Sequence, residues 1–148
     1  MAKKENWNNF LLQNKASFLQ SFEWGEFQEK LGRKIWRLSI EGGEALVIKK
    51  SLPLGKCFLY VPFGPCLAND KAIQGLLGEI KKIAKDEKSI YCYVEPWKAP
   101  SGFQKPLGAF APQKRIQPQQ TLVIDLIPAE EQIFKNLKSK TTRYNIRF

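Results

Sequence analysis

The feature that most constrains the fold is the apolar run Cys57–Val61, which two prolines follow within residues 62–65. Five consecutive apolar residues are typical of a central strand that is covered on both faces. Proline has no N–H to donate to a strand ladder, so we expect the chain to leave the sheet directly after this run.

The other patterns predict an α/β fold, with an α+β mixed sheet of about five strands that is mostly antiparallel and flanked by helices. A hairpin turn is predicted at Gly42 and Gly43, and an N-cap at Asn69 or Asp70. Strands are predicted at residues 34–41, 44–52, 57–61, 89–95 and 118–126. Helices are predicted at residues 5–14, 22–31, 70–87 and about 128–137. We expect residues 1–148 to form a single domain.

The helix that begins at Phe22 carries three large apolar residues at i, i+3 and i+7, namely Trp24, Phe27 and Leu31. This spacing places them on one stripe of the helix surface, which favours a core-facing helix with a solvated basic exit. Ser21 is suited to the N-cap and Gly32 to the left-handed position after the helix.

The residue inventory excludes several kinds of chemistry. The chain has no histidine, so it cannot supply a Ser-His-Asp or Cys-His catalytic group, and it lacks the commonest zinc ligand. Its three cysteines are widely spaced and form neither a disulfide framework nor a paired-cysteine metal motif. Reduced thiols in a cytosolic protein are the favoured interpretation.

The formal net charge of +10 favours an anionic partner. Nucleic acid, a phosphate-bearing substrate and the anionic face of a membrane all remain open, and so does simple solubility. No apolar run approaches the roughly 20 residues that span a bilayer.

Six segments, in the same order along the chain, resemble the FemAB family of peptidoglycan bridge-forming aminoacyltransferases. They are residues 18–28 (FLQSFEWGEFQ), 31–38 (LGRKIWRL), 59–65 (LYVPFGP), 94–96 (VEP), 117–126 (QPQQTLVIDL) and 140–147 (KTTRYNIR). The resemblance implies an N-acetyltransferase-like (GNAT) first half. Family members are usually more than twice this length, so it also implies an N-terminal portion whose basic segment, residues 138–148, leads into a second half or is completed by a second polypeptide.

The resemblance further implies transfer of an amino acid from aminoacyl-tRNA to the stem-peptide amine of a UDP-linked or lipid-linked muropeptide precursor. In the family, this reaction uses no metal and no cofactor. The resemblance also implies a cytoplasmic protein that contacts the inner membrane face peripherally. A non-enzymatic basic module that binds nucleic acid or anionic membrane is the alternative, and an inactive remnant is a third interpretation. No catalytic residue is assigned.

Two candidate substrate-binding residues lie in the first three segments. Tyr60 lies at the C-terminal end of a strand, where α/β folds place ligands, although the pattern itself favours an aromatic ring half-buried in the sheet. Gln28 lies four positions after Trp24. Some family members carry a lysine at this position that contacts the precursor's phosphates, whereas Gln28 offers a neutral hydrogen-bond donor. Glu95 is a candidate buried polar anchor.

The basic segment supplies the remaining candidates, Arg143, Tyr144 and Arg147. Together with Lys140 they share one face if the segment is helical. Arginine suits phosphate because its planar fork can donate two hydrogen bonds, and a tyrosine ring can stack on a base. These residues are predicted to contact phosphate or tRNA, and a solvated basic face is the alternative.

Overall fold

The computed structural model describes residues 3–96, 116–118 and 125–136. The chain divides into two compact units, residues 1–117 and residues 118–148. The first unit contains a five-stranded sheet with helices beside it, and a short helix lies in the second. The predicted mixed α/β class, with a mostly antiparallel sheet and flanking helices, is confirmed.

The elements of the described residues follow one another in this order: α1 (Lys4–Gln13), α2 (Phe22–Lys30), β1 (Ile35–Ile40), β2 (Gly43–Ser51), β3 (Cys57–Val61), β4 (Cys66–Leu67), α3 (Ala72–Asp86), β5 (Cys92–Val94) and α4 (Glu130–Asn136). Single 3-10 turns lie at Phe18–Gln20 and Pro53–Gly55. The predicted strand at residues 118–126 lies largely outside the described residues.

The sheet has the order β1-β2-β3-β5, and β4 pairs with β2 as well. All pairs are antiparallel except β3 with β5, which are parallel. A parallel pair needs a long crossover connection, and α3 provides it here. The α3 side chains Leu76 and Ile80 pack on Val47, Leu59 and Val61. A second apolar cluster joins Trp7 and Leu11 of α1 to Leu46 and Ile48.

The chain leaves the sheet after β3, as predicted, and returns to it as β4. Residues 62–65, with a cis Gly64–Pro65 bond, interrupt the ladder along one edge of β2. The side chain of Gln20 fills this gap, because its Oε1 accepts from Leu46 N at 2.8 Å and its Nε2 donates to Pro62 O at 2.5 Å. Gln20 is fully buried, and its own carbonyl accepts from the indole of Trp7 at 2.8 Å. A side-chain amide thus replaces the missing strand hydrogen bonds.

The predicted hairpin turn is shifted by one residue, to Glu41 and Gly42. Gly42 has a φ of 76°, whereas Gly43 pairs with Ile40 as the first residue of β2. A side chain at Gly43 would place its Cβ 2.9 Å from Leu76, so this glycine allows α3 to lie close to the sheet. The predicted N-cap is displaced as well: Asn69 Oδ1 accepts from Lys71 N, and the helix begins at Ala72.

The prediction that Trp24, Phe27 and Leu31 face the core is wrong for Phe27 and Leu31, whereas Trp24 is half-buried and packs against the cluster of Trp7 and Leu11. Phe27 and Leu31 are 46% and 52% exposed, and the buried residues of α2 are Gly25 and Gln28. Gly25 faces β1 so closely that a Cβ there would lie 2.5 Å from the Arg37 guanidinium. Because α2 approaches the sheet through its glycine, Phe27 and Leu31 turn outward, and the Phe27 ring contacts the half-buried Trp24 ring with centroids 5.3 Å apart. The predicted caps are confirmed, since Ser21 Oγ accepts from Trp24 N and Gly32 has a φ of 74°.

Candidate functional site

A polar cluster lies where the parallel strands β3 and β5 end. The phenol of Tyr60 donates to Glu95 Oε2 at 2.9 Å, and the side-chain amide of Gln117 donates to the Tyr60 oxygen at 3.1 Å. The backbone N–H of Gln117 donates to the other carboxylate oxygen, Glu95 Oε1, at 3.3 Å. Tyr60 pairs with Tyr93 across the two strands, and Glu95 follows β5 directly. The topology therefore gathers these groups at the carboxyl ends of adjacent strands, a common place for ligands in α/β folds.

The cluster is buried and its carboxylate has no cationic partner among the described residues. Tyr60 and Glu95 are 3% and 4% exposed. Burial raises the pKa of the Tyr60 phenol well above its usual range, and the nearby Glu95 carboxylate raises the pKa further. The Tyr60 phenol therefore stays neutral at every physiological pH and keeps the proton that it donates to Glu95.

This arrangement can hold a cation or a hydrogen-bond donor. A carboxylate has about four acceptor positions, and the two hydrogen bonds from Tyr60 and Gln117 leave part of this capacity open. A buried carboxylate without a counter-ion favours a positively charged or proton-donating ligand such as an amine. No group of three or more acidic, cysteine or histidine side chains in the described residues is placed to hold a metal ion.

The structure separates the candidates predicted from the sequence. Tyr60 lies in the polar cluster, and the site prediction for it stays a prediction. Gln28 lies on α2 with only 2% of its surface exposed, and its side-chain oxygen accepts from Arg33 Nη1 at 2.5 Å. The two residues share no hydrogen-bond partner among the described residues. Arg143, Tyr144 and Arg147 lie outside the described residues.

Gln117 is the member of the cluster that was not identified from sequence. It lies 22 residues after Glu95, and no local pattern links a glutamine to a carboxylate at that distance. Glu95 could be identified from the sequence, because an acidic residue between the end of an apolar strand and a proline is unusual.

A comparison with protein families now identifies the chain. The model of the FemAB family matches residues 2–106, which include all five strands of the described residues, Tyr60 and Glu95. The chain belongs to the FemAB family. No curated protein and no solved structure matches it. FemAB membership places the chain among transferases associated with peptidoglycan, and the resemblance of its N-terminal portion to this family is confirmed.

The FemAB match ends before residue 117, so Gln117 and everything after it lie beyond the matched residues. Among the described residues of this FemAB chain, no helix combines the length and apolarity needed to cross a membrane.

Proposed function

We propose that this FemAB-family chain contributes the acceptor-binding part of an aminoacyltransferase. The reaction moves an amino acid from aminoacyl-tRNA to the stem-peptide amine of a UDP-linked or lipid-linked muropeptide precursor. The observation that carries the proposal is the family match over residues 2–106, which includes Tyr60 and Glu95, the hydrogen-bonded pair at the centre of the cluster.

The cluster suits the acceptor amine. At neutral pH a peptide amine is mostly an ammonium ion, and the buried Glu95 carboxylate attracts it. In the reaction the neutral amine nitrogen attacks the ester carbonyl, the new C–N bond forms, and the C–O bond to the tRNA ribose breaks. The ammonium gives up one proton before the attack, and the Glu95 carboxylate can accept it; the nitrogen gives up a second proton as the amide forms, and this one protonates the departing ribose oxygen.

Tyr60 and Gln117 act as positioning residues in this proposal. Their hydrogen bonds, at 2.9 Å and 3.1 Å, fix the Glu95 carboxylate and the phenol relative to each other. Holding an amine against an activated ester supplies much of the rate of such a reaction, so neither a nucleophilic triad nor a metal is required.

The predicted partners follow from the charge of the substrates. Aminoacyl-tRNA and a diphosphate-linked precursor are both anionic, and the chain carries a formal charge of +10. Arg143, Tyr144 and Arg147 remain predicted contacts to these phosphates. A second half of the protein, or a second polypeptide, is proposed to complete the site at the inner face of the cytoplasmic membrane.

Isothermal titration calorimetry with a UDP-linked muropeptide, tRNA and anionic vesicles tests the proposal. The muropeptide is expected to bind at low salt and to bind more weakly as salt increases, because its diphosphate is held by cations. A chain that binds any RNA or anionic vesicle equally well, and does not prefer the muropeptide, would be a non-enzymatic basic module. A folded chain that gives no heat with any of the three ligands would contradict the proposal.

A further inference from the structure

The end of β3 is bonded to Glu95 twice, and the residue after it is bonded to Gln20. The Tyr60 phenol donates to the Glu95 side chain at 2.9 Å, and Val61 O accepts from the Glu95 backbone N–H at 3.2 Å. The next carbonyl, Pro62 O, accepts from Gln20 Nε2 at 2.5 Å. Three consecutive residues therefore connect the Glu95 carboxylate to one side-chain amide on a different part of the chain.

Pro62 makes this connection depend on Gln20. The pairing of β3 with β5 ends at Val61 and Val94, and Pro62 has no N–H with which to extend it. Pro62 and Gln20 are both fully buried, so water cannot replace the amide as the donor to the Pro62 carbonyl. The position of this carbonyl, and with it that of the strand end, is therefore set by Gln20.

Gln20 is itself held on several sides. Its Oε1 accepts from Leu46 N at 2.8 Å, and its backbone carbonyl accepts from the Trp7 indole at 2.8 Å. Gly64 lies so close that a Cβ there would be 2.5 Å from Gln20 Cδ. A buried amide that has made its hydrogen bonds keeps one orientation, because any movement leaves a buried polar group unpaired.

The residue after Pro62 has a strained backbone. Phe63 has a φ of 44°, in the left-handed region that a residue with a bulky side chain rarely adopts. It lies between the carbonyl that Gln20 holds and the glycine that Gln20 contacts. Such strain persists only where the surroundings fix the backbone, and it is concentrated at functional sites. The clamp on this segment therefore does more than complete the sheet.

We infer that Gln20 is a positioning residue of the Glu95 site. Through the Pro62 carbonyl it fixes the strand end, and the strand end orients the Glu95 carboxylate by way of Val61 O and the Tyr60 phenol. The role of Glu95 as the partner of the acceptor amine rests on the proposed function, whereas the coupling of Gln20 to Glu95 exists without a ligand.

Native-state amide hydrogen exchange tests the coupling without a ligand. Gln20→Met keeps the length of the side chain but removes its donor and acceptor. We expect the Glu95 N–H to exchange about tenfold faster relative to the Leu76 N–H, the effect of one lost buried hydrogen bond. Leu76 lies in α3 and reports the general loss of stability. Ile80→Val, which removes a methyl group from the core, is the matched control and should leave this ratio unchanged.

Gln20→Glu provides a rescue by pH. A protonated carboxyl group has one donor and one acceptor, as the amide has towards Pro62 O and Leu46 N, whereas an ionised one has no donor. Burial raises the pKa of the introduced group, so both forms can be reached. We expect the exchange ratio of wild type at about pH 5 and that of Gln20→Met at about pH 8. A ratio that does not change with pH would overturn the inference.

The amine preference tests the consequence for the site. Under the proposed function, wild type binds a UDP-linked muropeptide with a free stem-peptide amine more tightly than the same ligand with that amine acetylated. Calorimetry should show that Gln20→Met loses most of this preference and that Ile80→Val keeps it, because a purely structural loss weakens both ligands equally.

Two outcomes with Gln20→Met would assign Gln20 a structural role only and overturn the inference. They are equal acceleration of exchange at Glu95 and Leu76, and a folded variant that keeps the full amine preference. If wild type itself shows no preference, the proposed function fails, and the exchange ratio alone decides whether Gln20 positions Glu95. If Gln20→Met does not fold, the pH dependence of Gln20→Glu decides it.

Discussion

A buried carboxylate near the start of β2 makes the stability of the chain depend on pH. Glu44 is 7% exposed and lies between its strand neighbours Ser39 and Cys66. Its Oε1 accepts weakly from Ser39 Oγ at 3.4 Å, and its Oε2 has no partner among the described residues. Burial raises the pKa of Glu44 from 4.5 to about 7, and burial together with the nearby Glu44 charge raises the pKa of the Cys66 thiol to about 11.

The direction of the pH effect follows from this pKa. Because the folded state binds the Glu44 proton more tightly than the unfolded state does, stability falls as the pH rises from 4.5 to about 7 and then levels off. At about 1.4 kcal/mol for each pH unit, the loss has an upper limit of about 3 kcal/mol. Partial hydration of the carboxylate at high pH reduces the loss, so we expect about 1–3 kcal/mol.

Urea denaturation of wild type and Glu44→Gln between pH 4.5 and 8.5 measures this effect. The glutamine remains neutral, so the difference in unfolding free energy between the two proteins should change by about 1–3 kcal/mol across the range, in favour of the variant at high pH. Glu41→Gln, at an exposed position of the preceding turn, is the matched control and should follow wild type. Parallel stability curves for wild type and Glu44→Gln would refute the argument.

Three further predictions concern the sheet and the cluster. Gly64→Ala should destabilise the chain by about 1–3 kcal/mol in urea, because the new Cβ would lie 2.5 Å from the Gln20 side chain; Gly78→Ala, in an open stretch of α3, should stabilise it by up to about 1 kcal/mol, and equal effects would contradict this. Trp7→Phe should cost about 1–3 kcal/mol by thermal or urea unfolding, since it leaves the buried Gln20 carbonyl without its indole donor, and an unchanged midpoint would oppose this. Tyr60→Phe should preserve the fold by circular dichroism but weaken muropeptide binding severalfold, whereas unchanged affinity would remove Tyr60 from the site.

Helices and strands could be predicted from the sequence where the apolar residues follow a clear period or where a proline or glycine ends the element. β3 was predicted to the residue, because five apolar residues stand between a glycine-containing turn and a proline. β4 was missed because two residues carry no period, and because its pairing depends on Gln20 filling the ladder beside it. The outward face of α2 was missed for a similar reason, since the close approach of Gly25 to Arg37 arises only once β1 is in place.

In the candidate site, too, some residues could be predicted from the sequence and others could not. Tyr60 and Glu95 occur at the ends of recognisable strands, so their neighbourhood could be expected from the topology. Gln117 and the pairing of Gln28 with Arg33 could not be expected, because each depends on a side chain that meets its partner through the tertiary fold.

The central claim is that the Glu95 cluster receives the acceptor amine, and one comparison tests it most directly. Calorimetry would measure the affinity of wild type and Glu95→Gln for a UDP-linked muropeptide with a free stem-peptide amine, and for the same ligand with that amine acetylated. The account predicts that wild type binds the free amine about tenfold more tightly and that Glu95→Gln loses this preference, because the charge-assisted hydrogen bond is gone. Equal affinity of wild type for the two ligands would contradict the account.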